Sequence, residues 1–514
     1  MDHHTLRLNG SAALGTLVLA VLALAGCASA PPGAAHTAEP DMAWLQRMTY
    51  GVNSDVLAQY RRLGREGYLG EQLQPGDGHL PDPVARQIGA LHIMQTDGAQ
   101  LLAAVMVEQK RINALPDGPD KQAARQALGD QGNQLVYEAR RRELLRAIYS
   151  PAQLKEQMVW FWLNHFSVFE QKANVRWLIG DYSERAIRPH ALGRFRDLVM
   201  ATLEHPAMLQ YLDNAQNSAG HINENYAREL MELHTLGVAG GYSQHDVQEL
   251  ARVLTGVGVA GPEAPHLRPE LRGYYRHEGG FEFNPARHDF GSKTLLGHPL
   301  NGRGFAEVTE AVDLLVRQPA CARFISRQLA VYFAGDDPPP ALVARMAHTF
   351  QASDGDIAAV LRTLFTAPEL AGRAGRKFKD PMQYVVSAVR MAYDTRIVQN
   401  MHPVTNWLGA LGEPQFGHQT PDGYSLEDTA WSSSGQMSRR FEIARTIGAG
   451  SAGLFDPEAG GPATAVGFPL LTTPVYYAVV EPALSAQTRN ALQTARSPQE
   501  WNLYLLASPE FNSR

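Results

Sequence analysis

The chain has 514 residues, 44% of them hydrophobic, with 46 Lys and Arg against 52 Asp and Glu and a formal net charge of −6. That apolar share can fill a sizeable core, and the length suits one large domain or two to three ordinary ones. Acids and bases are interspersed and no basic arm is present, which argues against a nucleic-acid-binding protein.

The first element is an apolar run from Ala12 to Ala25, preceded by Arg7 and closed by Leu24-Ala25-Gly26-Cys27. It is short and rich in small residues, the form of a secretory signal rather than a membrane span. Its end resembles the lipobox of bacterial lipoproteins. That resemblance implies a signal peptide over 1–26, cleavage before Cys27 and a lipid on that cysteine, with 27–40 as the lipidated cysteine and a flexible tether. Ala28 stands where an inner-membrane retention signal would carry Asp, so the expected place is the outer membrane facing the periplasm. The other reading is an ordinary signal cleaved near Ala28-Ser29-Ala30. The second cysteine, Cys321, lies in the apolar context Pro319-Ala320-Cys321-Ala322 and reads as a small buried residue.

From Met42 onward the spacing is helical. Periodic stretches run Leu154–Phe169, Ser183–Ala201, Asn225–Leu236, Ser243–Thr255, Phe305–Arg317, Pro319–Phe333, Ala341–Ala352, Ile357–Thr366 and Pro381–Tyr393. Ser150-Pro151 reads as a helix start, Ser243-x-x-Asp246 as a relative of the capping box, and Gly237 as a left-handed helix end. Gln109 to Gln134 is polar and gapped, a helical hairpin or a loop. Aromatic alternation from Tyr274 to Phe283 predicts a hairpin or an irregular loop, inside a long Gly/Pro/His-rich stretch from Gly256 to Gly304. The expected fold is mostly α: one large multi-helix domain over 41–514, with long irregular loops and few or no strands.

Two segments carry candidate chemistry. Trp160-Phe161-Trp162-Leu163-Asn164-His165-Phe166 is apolar on all sides, so Asn164 and His165 fall inside a core. There His165 is either a hydrogen-bonded structural group or a metal ligand or general base. In Asn223-Glu224-Asn225-Tyr226-Ala227-Arg228-Glu229-Leu230-Met231-Glu232-Leu233-His234 the wheel gathers Glu224, Asn225, Arg228, Glu229 and Glu232 on one side. That is the pattern of a surface helix with ion pairs at i,i+4, or of a carboxylate row facing a cleft. A hairpin return would bring Asp246 and Glu249 beside that row, with His288-Asp289 in the following loop. Glu229, Glu232, Asp246, His288 and Asp289 would together suit a divalent metal ion. Gly256-x-Gly258-x-x-Gly261 follows a helical run and is discounted as a dinucleotide loop. Pro421-Asp422-Gly423-Tyr424 reads as a plain turn, and Arg439-Arg440 as a solvated pair.

The order of motifs resembles the bacterial domain-of-unknown-function 1800 family. The series is Met48-Thr49-Tyr50-Gly51, Trp162-Leu163-Asn164-His165-Phe166, Arg188-Pro189-His190-Ala191-Leu192-Gly193, His205-Pro206-Ala207-Met208, Asn223 through Gly237, Asp246-Val247 with Leu254-Thr255-Gly256, His288-Asp289 with Lys293, and Pro421-Asp422-Gly423-Tyr424. The resemblance implies a mostly helical envelope or secreted module without a settled activity. It also implies a partner, because such proteins are often encoded beside a secreted domain-of-unknown-function 1501 protein that resembles the alkaline phosphatase and sulfatase group. Two function classes are open. One is a lipid-anchored binding or assembly partner of a secreted protein or polysaccharide. The alternative is a metal-assisted envelope hydrolase using His165, Glu229, Glu232 and Asp246, with His288 and Asp289 closing the site.

Overall fold

Helices form where apolar spacing repeats at about 3.6 residues, and a capping side chain opens some of them. In the computed structural model these are α1 (Glu39–Met48), α2 (Ser54–Leu73), α3 (Gly98–Ala114), α4 (Pro119–Tyr149), α5 (Gln153–His165) and α6 (Val175–Asp181) in the first third. Asn53 caps α2 by accepting from the Val56 N–H, and Asp97 caps α3 through the Ala99 N–H. Such caps contribute about 1 kcal/mol each. The structure describes residues 39–514 except 77, 262, 372–376, 459, 461 and 463–466. The signal-like segment, Cys27 and the tether up to residue 38 lie outside the described residues, and Glu39 and Pro40 at the tether's end already belong to α1. The described residues are 62% helical with 4% strand, so the mostly α expectation holds.

α5 is the central helix, with Leu154, Met158 and Trp162 all fully enclosed. Its start differs from the sequence expectation. Ser150 closes α4 instead: its N–H bonds the Arg146 carbonyl at 2.8 Å, and its Oγ accepts from the Ala152 N–H at 3.2 Å. Ser150-Pro151 is thus the corner between two helices. The gapped stretch 109–134 is a helical hairpin, formed by the end of α3 and the start of α4.

The predicted helix over Ser183–Ala201 is broken. A π turn (Tyr182–Ile187) continues α6, and α7 (Phe195–Leu203) and α8 (Pro206–Tyr211) come next as separate pieces. At this break Arg188 bonds Glu143 at 2.6 Å and Glu156 at 2.9 Å, tying α4 and α5 to the turn. A second π turn (Leu230–Thr235) extends α9 (Asn225–Glu229), and its Leu236 N–H reaches back to the Met231 carbonyl at 2.8 Å. Gly237 then takes φ +79°. There an added Cβ would meet Phe324 at 2.8 Å, so glycine is needed on two counts.

α10 (Gln244–Val253) begins with the expected capping box, Ser243 and Asp246. The loop-rich stretch after it contains β1 (Val257–Val259), β2 (Arg276–Glu278) and β3 (Phe281–Phe283), an antiparallel sheet in the order β1-β3-β2. The aromatic alternation has its basis in the β2–β3 hairpin, whose Phe281 and Phe283 are buried. α11 (Phe305–Arg317), α12 (Pro319–Ala334), α13 (Pro340–Ala352) and α14 (Ile357–Phe365) come after it, packed one on the next. Cys321 is fully buried in α12, and burial pushes its thiol far up. α15 (Pro381–Tyr393), α16 (Ser434–Gly448) and α17 (Pro498–Leu506) complete the unit. Arg440 is no solvated residue: it is fully enclosed in α16, donating to the Asn512 side chain at 3.0 Å and the Lys379 carbonyl at 2.6 Å. No helix among the described residues is long and apolar enough to cross a membrane.

Candidate functional site

His165 ends α5 in a ring of aromatics that includes Trp162, Phe166, Phe195 and Phe324. Its Nε2 donates to the His234 carbonyl at 3.0 Å. Burial depresses its pKa to about 4, so the ring is neutral. His234, in the second π turn, is fully buried, and among the described residues neither of its ring nitrogens has a partner.

Of the predicted metal set only Glu229 and Glu232 stay together, and the others are taken by nearer partners. Both Asp246 oxygens are occupied: Oδ2 accepts from the Ser243 N–H at 2.8 Å and its hydroxyl at 2.6 Å, and Oδ1 from the Leu296 N–H at 2.7 Å. Glu249 bonds Arg252 and the Thr294 N–H. Asp289 accepts from Arg252 Nε at 2.8 Å and the Gly291 N–H at 2.8 Å, and the Arg252 bond holds its carboxyl down at about 2. His288 donates through Nδ1 to the Thr255 carbonyl at 2.8 Å. Its Nε2 lies 3.6 Å from Glu307, whose carboxylate already holds the Lys293 ammonium at 2.6 Å. A fixed ammonium at that point opposes a second cation. Among the described residues no group of three or more His, Cys, Asp or Glu is placed to hold a metal ion.

Glu229 and Glu232 stay together, half-buried on α9 and its π turn. Burial, then the charges of Glu232 and Asp422, raise the Glu229 carboxyl above its ordinary value. Asp422 arrives there because Asn164 clamps the next turn. Its Nδ2 donates to the Tyr424 carbonyl at 2.9 Å, and its Oδ1 accepts from the Tyr424 N–H at 2.6 Å. Gly423, at φ +70°, lies so close that a Cβ would come within 2.3 Å of the Asn164 carbonyl. The Tyr211 hydroxyl secures the same loop through the Gln419 carbonyl at 2.9 Å. The turn Pro421–Tyr424 is therefore part of the α5/α9 corner, joined by a side chain some 260 positions away.

A cleft of about 440 Å³ opens elsewhere, between α6, its π turn, α7, the start of α8 and the β2–β3 hairpin. Leu178, Met200 and Phe281 give it an apolar floor; Asp181, His190, Glu204 and Glu278 give it charge. His205 caps α8 through Nδ1, which accepts from the Ala207 N–H at 3.1 Å, and donates through Nε2 to Asp181 at 3.1 Å. Both nitrogens are thus committed and the tautomer is fixed. Burial works to raise Asp181, but bonds from His205 and the charge of Arg185 hold it below its ordinary value. Burial raises the Glu204 carboxyl and lowers the His190 imidazole. Among the described residues His190 and Glu278 make no side-chain hydrogen bond or ion pair.

Two motifs of the series, Arg188–Gly193 and His205–Met208, border this cleft. The chain matches the model described as "Protein of unknown function (DUF1800)" over residues 43–513. It belongs to that family. No curated protein and no solved structure matches it. Within this DUF1800 chain, sequence reasoning passed over His190, Glu204 and Asp422 as site residues. A histidine directly before Pro206 signals a helix start, and only the fold shows that its other nitrogen and its neighbours line a cleft.

Proposed function

We propose that this DUF1800 protein is a lipid-anchored binding module of the cell envelope, held by Cys27 to the outer membrane and facing the periplasm. It docks a secreted protein, with a domain-of-unknown-function 1501 protein as the first candidate. The observation that carries this reading is that, apart from Glu229 and Glu232, the predicted catalytic and metal-binding side chains are spent on the fold. His165 serves a backbone carbonyl, Asp246 a helix cap, Asp289 an arginine. What remains exposed to a partner is a preformed cleft lined by Asp97, Asp181, Asp197, Glu204 and Glu278 and by Arg185, with Arg276 and Arg196 paired to Glu204 and Asp197 from outside the lining. That balance suits a basic segment on the partner. The test is a titration of the purified secreted partner by biolayer interferometry. Glu204→Gln/Glu278→Gln should weaken binding most at low salt. Unchanged affinity in the double variant removes the cleft from the interface. Labelling with a palmitate analogue, lost in Cys27→Ser, checks the anchor.

A metal-assisted hydrolase is the second reading, and the raised Glu229 carboxyl between Glu232 and Asp422 is what favours it. Metal content by mass spectrometry, compared with Glu229→Gln/Glu232→Gln, decides it: bound metal lost in the folded double variant supports the hydrolase.

A further inference from the structure

A smaller recess of about 250 Å³ lies between α3, the first half of α4 and the start of α6. Its chemistry is the reverse of the cleft's. Arg125 and Arg176 line it, and no Asp or Glu does, on a chain of net charge −6. Among the described residues Arg125 makes no side-chain hydrogen bond or ion pair, and Arg176 makes only a long contact, 3.5 Å to Asn133 Oδ1. Two carboxylates sense these arginines from outside the lining, and each has its own partner. Glu170 is bonded to Arg140 at 2.5 Å, and Asp117 to Lys121 at 2.9 Å.

The walls between the arginines are amide and apolar. Gln109 and Asn113 come from α3, Trp177 and Leu128 from the other two helices. Gln109 is fixed by its bond to Asn174 at 2.8 Å. Two glycines in the middle of α4 shape the space. A Cβ on Gly132 would meet the Arg176 stem at 2.5 Å and the Trp177 edge at 3.3 Å, so its absence lets both lie across the helix. Gly129 borders the recess, and a Cβ there would meet nothing within 4 Å. Each interior glycine costs about 1 kcal/mol of helix stability relative to alanine, a cost that local packing explains at Gly132.

We propose that this recess binds a sugar-sized ring carrying an oxyanion, a sugar acid in the simplest case. Guanidinium groups take carboxylate, sulfate or phosphate oxygens in a fork, the amides of Gln109 and Asn113 meet hydroxyls, and Trp177 and Leu128 back the ring face. The volume lies just under the range of about 300–1,000 Å³ usual for larger organic ligands, which limits the occupant to one ring. The site is separate from the docking cleft and does not depend on it.

The experiment is calorimetric titration of the full chain with D-glucuronate, with glucose and inorganic phosphate as separate arms. Glucuronate should bind saturably and weaken with added salt, while glucose gives no heat. Arg125→Gln and Arg176→Gln should each weaken it about tenfold. Gly129→Leu fills the recess with every charge kept and improves helix propensity, so it should fold and abolish binding. Polygalacturonate distinguishes the source: tighter binding than the monomer assigns the site to the end of an acidic polysaccharide, and monomer binding alone assigns it to a free sugar acid. The proposal is overturned if glucuronate does not bind, if phosphate binds as well as glucuronate, or if folded Gly129→Leu keeps wild-type affinity.

Discussion

His205 and His234 are both buried, 7% and 0% exposed, and they meet that burial in opposite ways. His205 gives one nitrogen to the cap of α8 and the other to Asp181, so its ring joins a helix start to the end of α6. Among the described residues His234 has no partner on either nitrogen, and it sits against the rings of His165 and Phe166. A bonded buried polar group adds to stability, whereas a bare one subtracts about 1–3 kcal/mol. The difference separates a side chain that builds the cleft wall from one that the fold merely tolerates.

The comparison breaks most visibly at His205. His205→Ala removes an N-cap and a hydrogen bond to a half-buried carboxylate, and it leaves Asp181 with Arg185 and the Gly98 N–H. The expected loss is about 3 kcal/mol, read from urea midpoints at constant m. A loss under about 1 kcal/mol would mean that the Asp181 bond carries nothing. The next effect is acid sensitivity from the other pair. His165 falls from 6.5 in the unfolded chain to about 4 when folded, and His234 is depressed as well, both by burial first. Between those values the unfolded chain holds more protons, so stability rises with pH and is lost as pH falls from 6.5 toward 4. His165 has an edge near solvent, which reduces the expected loss over that window to about 2 kcal/mol. A flat stability curve between those pH values would show that the rings find a proton-tolerant arrangement.

Much of the fold was legible because apolar spacing at 3.6 residues and side-chain caps act locally. The four helices from Phe305 to Phe365 fall close to their predicted ranges, and Ser243-x-x-Asp246 forms its box. The π turns were not legible. A turn closed from i to i+5 takes an extra residue, so a wheel drawn at 100° misplaces the side chains beyond Leu230. His234 falls opposite the carboxylate row even on that wheel, on the apolar side with Leu230, and the fold buries it there. The candidate site was readable only in part. Glu229 and Glu232 stay adjacent as their spacing requires, but Asp422 joins them through Asn164 from far along the chain, and Asp246, His288 and Asp289 each found a nearer partner. Sequence shows which side chains can ligate or ionise; only packing decides whether an N–H or an arginine reaches them first.

The finest test of the comparison replaces the bare ring itself. Phenylalanine is close to histidine in shape and has no nitrogen to desolvate, so His234→Phe should stabilise the chain by about 1 kcal/mol at neutral pH. The π turn would keep its own bonds, among them Thr235 Oγ to the Leu230 carbonyl at 2.6 Å, and His165 would keep the carbonyl of residue 234 as its acceptor. The gain should widen as pH falls from 6.5, because one of the two depressed imidazoles is gone and the His165 contribution remains. Thermal melts of both proteins across that range give the result. If His234→Phe destabilises at neutral pH while the acid-induced loss is unchanged, the two nitrogens are not bare in solution, and His234 has a ligand or an ordered water that makes it, like His205, a bonded residue.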